Sequence, residues 1–290
     1  MAKWIWIKNT IGESFFSLFA LIKMKKANNK EYEHIQVNKI KYGKHENQHM
    51  LVFEPIKDSA KQKFIFFIHG GGWTSNNPTM FKFVGGFFAQ MGYMTVSVGY
   101  RLAPDYTYPT QIEDVFSGFK KAFDIVDEKY VDKKQAIIIG SSSGAHLGSI
   151  LAYDQKRQAE YKIESDRISG LVSNAGPLNF KVCQNPIITK LIGDFMGGSK
   201  ELEHASPMEI IKDYKALSKI PTLCIHGEKD PVIEIENSQT FVDYINNKNK
   251  GQIAEVFKAK GSYHSDLCVY LFSKEIEAKK KLVQWLRDRE

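Results

Sequence analysis

From residue 64 onward the chain alternates short apolar or β-branched runs, at 64–68, 93–98, 136–139, 168–173, 222–226 and 252–257, with stretches of helical character. A parallel strand needs a crossover connection, and the crossover helix buries the face it crosses. Near-continuous apolar strands separated by helices therefore predict a mostly parallel sheet covered on both faces. Two earlier segments, 34–40 and 50–54, carry partial alternation and are predicted as antiparallel strands joined across 43–48. The predicted class is α/β. The rhythm breaks once: after Asn174-Ala175-Gly176-Pro177, residues 178–217 contain no clear strand before Ile220. That segment is predicted to be a cap insertion over the crevice at the strand carboxyl ends, where ligands bind in such sheets. No repeat or low-complexity linker divides residues 1–290, so one domain is expected.

Within residues 1–30, Ile11, Phe15, Leu18 and Ile22 share one helical face, with Glu13, Ser14 and Ser17 largely off it. This predicts an amphipathic helix that docks on the protein body as part of the cap or rests on a membrane surface. A secretion signal fits poorly, because Lys8 and Glu13 interrupt the apolar character and no small-residue cleavage site follows. No apolar run approaches the roughly 18 to 20 residues that span a bilayer.

With 290 residues, 43% of them hydrophobic, the chain can bury one substantial core. The net charge of +7 is spread along the chain rather than gathered in one arm, which favours a solvated basic surface over nucleic-acid binding. Three cysteines, Cys183, Cys224 and Cys268, follow no metal-ligand spacing, and Cys224 sits inside the apolar stretch 221–225 as a small buried hydrophobe. This usage fits a reducing cytoplasm. A homodimer is compatible with the sequence, as is membrane-surface contact through the N-terminal helix.

Two short motifs carry the chemistry. His69-Gly70-Gly71-Gly72-Trp73 follows the run 64–68, and Gly140-Ser141-Ser142-Ser143-Gly144 follows the run 136–139. The second is a G-x-S-x-G elbow, in which a strand turns sharply into a helix and exposes the serine hydroxyl. A linker reading of this Gly/Ser string is disfavoured by the apolar strand before it and the small-residue helix 145–152 after it. Glycines at 140 and 144 permit the sharp turn and a close approach of strand and helix. A serine hydroxyl at neutral pH needs a base, and the base an orienting carboxylate. Partners of such an elbow follow in the chain order acid, then histidine. Asp230 follows the run 222–226, and His264 follows the run 252–257. Among the eight histidines, His226 is the rival base, but it lies too near the acid to respect that order. His69 is read as bracing its loop and His146 as pointing into the fold. Asp230 is preferred over Glu228 and Asp266 because an Asp-Pro pair favours an exposed turn. Backbone N–H groups of Gly71, Gly72 and Ser143 are the candidate donors to a developing oxyanion.

These residues, together with Tyr100-Arg101-Leu102-Ala103-Pro104 and Gln111-Ile112-Glu113-Asp114-Val115, resemble the α/β-hydrolase superfamily, and within it the hormone-sensitive-lipase-like esterases, from about Phe64 to the C-terminus. The resemblance implies an eight-stranded sheet, a Ser142-Asp230-His264 triad, hydrolysis of short-chain carboxylic esters and no cofactor. The chain departs from the family at Ser141 and Ser143, where an aspartate and an alanine are usual, at Gly99, and at His264-Ser265-Asp266. The elbow followed by Ala145-His146-Leu147 is also similar to arylformamidase-type and deacetylase-type relatives. Amide or acetyl hydrolysis is thus the competing activity, and an inert hydrolase-fold binding protein the non-enzymatic one. Arg101 is expected to pair with Asp114 or Glu113 and brace its loop.

Overall fold

The computed structural model describes residues 10, 12, 13, 22, 24–28, 35–55, 61–129, 135–272 and 277–290. Eight strands form one sheet: β1 (Gln36–Lys41), β2 (His49–Glu54), β3 (Phe64–Ile68), β4 (Thr95–Val98), β5 (Ala136–Ser141), β6 (Ile168–Asn174), β7 (Thr222–Gly227) and β8 (Ala254–Ala259). Their order is β1-β2-β4-β3-β5-β6-β7-β8, antiparallel at β1/β2 and β2/β4 and parallel across the rest. This is the predicted mostly parallel architecture, with every expected strand present. The last run begins two residues late, at Ala254, and the Asn246 side chain accepts the N–H groups of Ile253 and Ala254 where the strand starts.

Parallel central strands alternate their side chains between two buried faces. In β3, Phe64, Phe66 and Ile68 join one core cluster while Ile65 and Phe67 join the other. The first cluster is covered by α2 (Thr110–Lys129), α3 (Ser143–Tyr153) and α7 (Glu236–Asn249), and Phe66 meets Phe119 edge to face at 5.0 Å. The second is covered by α1 (Lys82–Gln90) and by α8 (Glu277–Arg287), which buries Leu282 and Trp285. Arg101 pairs with Asp114 through three contacts of 2.7, 2.9 and 3.2 Å, bracing the loop after β4.

Between β6 and β7 the chain forms helices and no strand. These are α4 (Pro186–Met196), α5 (Leu202–Ala205) and α6 (Pro207–Lys212). Asn185 caps α4 by accepting from the Ile187 N–H, and Pro186 occupies the first turn, where a missing donor costs nothing. The segment is tied down at several points. The Tyr108 N–H donates to Phe195 O at 2.8 Å, and Glu234 Oε1 accepts from the Gln184 and Asn185 N–H groups at 3.1 and 2.9 Å.

Residues 24–28 are helical, as are 10, 12, 13 and 22, but Ile11, Phe15 and Leu18 of the expected apolar face lie outside the described residues. At the positions that are described, Ile22 is 58% exposed and Glu13 only 8%. Glu13 tolerates burial because its carboxylate finds a backbone donor, the Ser265 N–H. Among the described residues no helix is long and apolar enough to cross a membrane.

Candidate active site

The elbow is built where β5 ends. Gly140 and Ser141 are still paired with Ser173 and Asn174 of β6, and Ser142 then turns the chain at φ 53° and ψ −121° into α3. A non-glycine residue in this region is strained, and the strain persists only where neighbours over-determine it. Here they do: the Ser142 N–H donates to Asn174 O at 2.8 Å, and Ser142 O accepts from Ala145 and His146 at the start of the helix. A β-carbon on Gly144 would lie 2.1 Å from Ile68 O, so the helix can approach β3 only because that position is glycine.

The glycine loop lies directly over the elbow. A β-carbon on Gly70 would sit 2.7 Å from Ser141 O and 3.2 Å from the Ser142 β-carbon. Gly71 and Gly72 take φ values of +132° and +60°, and a β-carbon on Gly71 would meet Ser75 O at 2.2 Å. The loop's carbonyls are turned inward: Gly71 O accepts from the Thr74 and Ser75 N–H groups, and Gly70 O from the Asn76 amide at 3.1 Å. Among the described residues the Gly71 and Gly72 N–H groups donate to no internal acceptor. Ser143 opens α3, so its N–H has no partner within the helix.

The three side chains expected to act together are brought together. Ser142 Oγ lies 3.0 Å from His264 Nε2, and His264 Nδ1 lies 2.7 Å from Asp230 Oδ2. A carboxylate can only accept, so Nδ1 carries the proton and Nε2 is left to accept from the serine hydroxyl. Asp230 corrects one expectation. Glu228 and Lys229 are exposed, but the Asp230 side chain is only 1% exposed, because it folds back to cap its own turn. Its Oδ1 accepts the Val232 and Ile233 N–H groups, both at 2.9 Å. Burial pushes this carboxyl upward, but the His264 charge and hydrogen bond outweigh it and hold the group below the ordinary aspartate value. Burial pushes His264 downward, and the Asp230 charge and hydrogen bond reverse that, leaving its pKa above the ordinary histidine value.

The competing groups have other partners. His226 Nε2–H donates to Ile233 O at 2.9 Å and its Nδ1 accepts from Ser238 Oγ at 2.8 Å, which leaves it supporting the acid loop from beneath. Glu228 accepts from the Gly261 N–H, and Asp266 from the Tyr263 N–H. Tyr100 stacks on His69 at 4.4 Å and donates to His69 O at 3.0 Å. His146 forms a link that the sequence did not reveal: the Trp73 indole donates to its Nδ1 at 3.3 Å, and its Nε2–H donates to Ala205 O at 2.7 Å. One buried imidazole thereby joins the glycine loop to the cap segment. The histidine and the glycine-loop tryptophan were each visible in the sequence, but not the distant carbonyl that pairs them.

These buried histidines give a pH expectation. Burial lowers the pKa of His69 to about 4 and that of His146 to about 3, and lowers that of His226. The unfolded chain takes up these protons near pH 6.5 while the folded chain does not, so stability falls as pH drops below 6.5. At pH 5 the loss is about 2 kcal/mol for each of His69 and His146, at roughly 1.4 kcal/mol per pH unit. His264, with its raised pKa, adds stability as pH falls through the window above 6.5 and is flat below it, so it does not offset this loss. Urea midpoints at pH 7, 6 and 5 should therefore decline steadily; a constant midpoint would contradict neutral burial of these rings.

The pocket above Ser142 has a volume of about 420 Å³. Gly70, Gly71 and Gly72 form one side, Ile187, Ile188 and Leu191 of α4 another, and Pro231 and Val232 of the acid loop a third. A β-carbon on Gly72 would touch Leu191 at 2.8 Å, so the cap segment packs directly on the glycine loop. Among the described residues there is no cluster of three or more histidine, cysteine, aspartate or glutamate side chains that could hold a metal.

Comparison with known proteins bears on the fold and the family. Esterase B from Lactobacillus Rhamnosis superposes with a TM-score of 0.76 at 17% identity, covering 99% of this chain and 95% of that one. Esterase LipC of Mycobacterium tuberculosis is 25% identical over 199 residues, which are 65% of this chain and 49% of LipC. A probable isoprenylcysteine alpha-carbonyl methylesterase of Oryza sativa is 22% identical over 240 residues, 78% of this chain and 56% of that protein. The chain thus spans about half the length of these two relatives. The BD-FAE family model matches residues 50–245, which include the glycine loop, the elbow, the cap segment and the acid loop. With that match over most of its length, and with the sheet order, elbow and glycine loop described above, the chain belongs to the BD-FAE family and has the α/β-hydrolase fold of the hormone-sensitive-lipase-like esterases.

Proposed function

We propose that this protein is a carboxylesterase-type serine hydrolase that cleaves short-chain carboxylic esters through an acyl-enzyme on Ser142. The observation that carries the reading is the continuous line from Ser142 Oγ to His264 Nε2 at 3.0 Å and from His264 Nδ1 to Asp230 Oδ2 at 2.7 Å. In this reading His264 takes the serine proton as Oγ attacks the ester carbonyl, and the Gly71, Gly72 and Ser143 N–H groups stabilise the oxyanion. Each such donor is worth on the order of 3 kcal/mol of barrier. The imidazolium then protonates the leaving alcohol, and water, activated by the same histidine, releases the acid. No cofactor enters these steps. The substrate is a small ester, and its acyl group lies against the apolar side chains of Ile188, Leu191 and Val232.

The pocket's about 420 Å³ limits the acyl chain. Across p-nitrophenyl esters from C2 to C12, kcat/KM is expected to peak at C2 to C6 and to fall at least tenfold by C12, while a fluorophosphonate labels Ser142. A maximum at C10 or C12 would overturn the short-chain assignment. Faster cleavage of N-formylkynurenine than of any ester would replace ester by amide chemistry on the same residues.

A further inference from the structure

The loop carrying His264 is contacted on both sides of the histidine by two residues from near the N-terminus. A β-carbon on Gly12 would lie 2.6 Å from the Tyr263 hydroxyl oxygen and 2.7 Å from its ring, so the backbone at residue 12 rests flat against the residue preceding His264. A side chain at residue 12 would have to push the Tyr263 ring aside. On the other side, Glu13 Oε1 and Oε2 accept the N–H of Ser265, the residue following His264, at 3.0 and 3.3 Å. The Glu13 side chain also lines the pocket above Ser142. A carboxylate that is 8% exposed is costly to bury unless it meets donors or positive charge.

We propose that Glu13 is a positioning residue of the active site, which fixes the His264 loop through Ser265 and places a second carboxylate beside the imidazole. The proposal rests on the triad reading above. Asp230, on the acid loop, holds Nδ1 and orients the ring; Glu13 approaches from a different element and holds the main chain. Among the described residues, the other titratable groups around this loop are His226, 3.6 Å from Asp230, Asp266, which accepts from the Tyr263 N–H, Tyr263 itself with Lys229 Nζ 5.7 Å from its ring centre, and Glu228, which accepts from the Gly261 N–H. The Glu13 charge adds to that of Asp230 in raising the His264 pKa against the effect of burial. When the imidazole takes the serine proton, the negative charge of Glu13 adds to that of Asp230 in favouring the positive form. Gly12 and Glu13 are in this way supports of the His264 loop.

The test compares Glu13→Gln, Glu13→Ala and Gly12→Val with the parent, using kcat/KM for p-nitrophenyl butyrate and the rate of Ser142 labelling by a fluorophosphonate, both from pH 5 to 9. Glu13→Gln keeps an oxygen acceptor for the Ser265 N–H but removes the charge. Its acid limb is expected to move down by about half a pH unit while the alkaline plateau stays within about threefold of the parent. Glu13→Ala removes both and is expected to lower the plateau about tenfold as well, through a misplaced imidazole. Gly12→Val should lower the plateau without moving the limb as Glu13→Gln does. The thermal midpoint of Glu13→Gln is expected to be unchanged, so its shifted limb reports the site and not folding. Profiles of Glu13→Gln and Glu13→Ala that overlay the parent would overturn the proposal. Persistence of turnover in Ser142→Ala would instead overturn the triad reading, so the two failures are distinguishable.

Discussion

Ser142→Ala is expected to lower kcat/KM for a short-chain p-nitrophenyl ester by about 10⁴- to 10⁶-fold, equivalent to roughly 5 to 8 kcal/mol of transition-state stabilisation. In the proposed mechanism the loss is large because the serine contributes the covalent step. His226 is committed to Ile233 O and Ser238, and His146 to Ala205 O and Trp73. The residual rate reflects the glycine-loop donors and substrate binding alone. Little disturbance of the fold is expected, since the hydrogen bonds that hold residue 142 in its turn are main-chain bonds to Asn174, Ala145 and His146. Steady-state turnover with a matched urea midpoint checks this. A variant that keeps parent turnover would remove Ser142 from the mechanism.

Asp230→Asn is expected to cost about 10⁴-fold in kcat, again with a small effect on folding. The carboxylate has two separate roles here, and the substitution divides them. The introduced amide still offers an oxygen to the Val232 and Ile233 N–H groups, as Oδ1 now does at 2.9 Å, so the turn keeps its cap. Its NH₂ group then faces His264 Nδ1, where a donor meets a donor. The ring relieves that conflict by moving its proton to Nε2, the atom that must accept from Ser142. The histidine pKa also loses its main support, because the Asp230 charge and hydrogen bond are what raise it against burial. The pH-rate profile should therefore lose its acid limb near and above the ordinary histidine value, together with the fall in rate. An unchanged limb, with the rate within tenfold of the parent, would assign the orienting role to another group.

The strands were readable because a buried parallel strand is a local pattern: four or five apolar or β-branched residues between turns identify β3, β5 and β7 without knowledge of their neighbours. The elbow and the glycine loop were readable for a related reason, since close backbone approach leaves glycines in the sequence at 70, 140 and 144. Asp230 and His264 were placed by chain order and by their positions after strands, and the structure sets them within hydrogen-bonding distance of each other. The burial of Asp230 was not readable, because it depends on a side chain folding back onto the main chain two and three residues later. Glu13 was read as part of a polar face, and its partner Ser265 lies 252 positions away. The His146 bridge from Trp73 to Ala205 was hidden for the same reason. Periodicity reports which side of an element is wet, but not which distant amide or carbonyl will meet a polar group that is buried.

The segment between β6 and β7 has no free end from which to swing. Glu234 grips its start, Tyr108 holds Phe195 at the close of α4, His146 holds Ala205, and Leu191 rests on Gly72 beside the pocket above Ser142. Lifting it as a hinged flap would break these bonds together and leave the buried His146 Nε2–H without its acceptor, Ala205 O. In the proposed reaction an ester is therefore expected to reach Ser142 past a wall, formed by Ile187, Ile188 and Leu191, that stays in place.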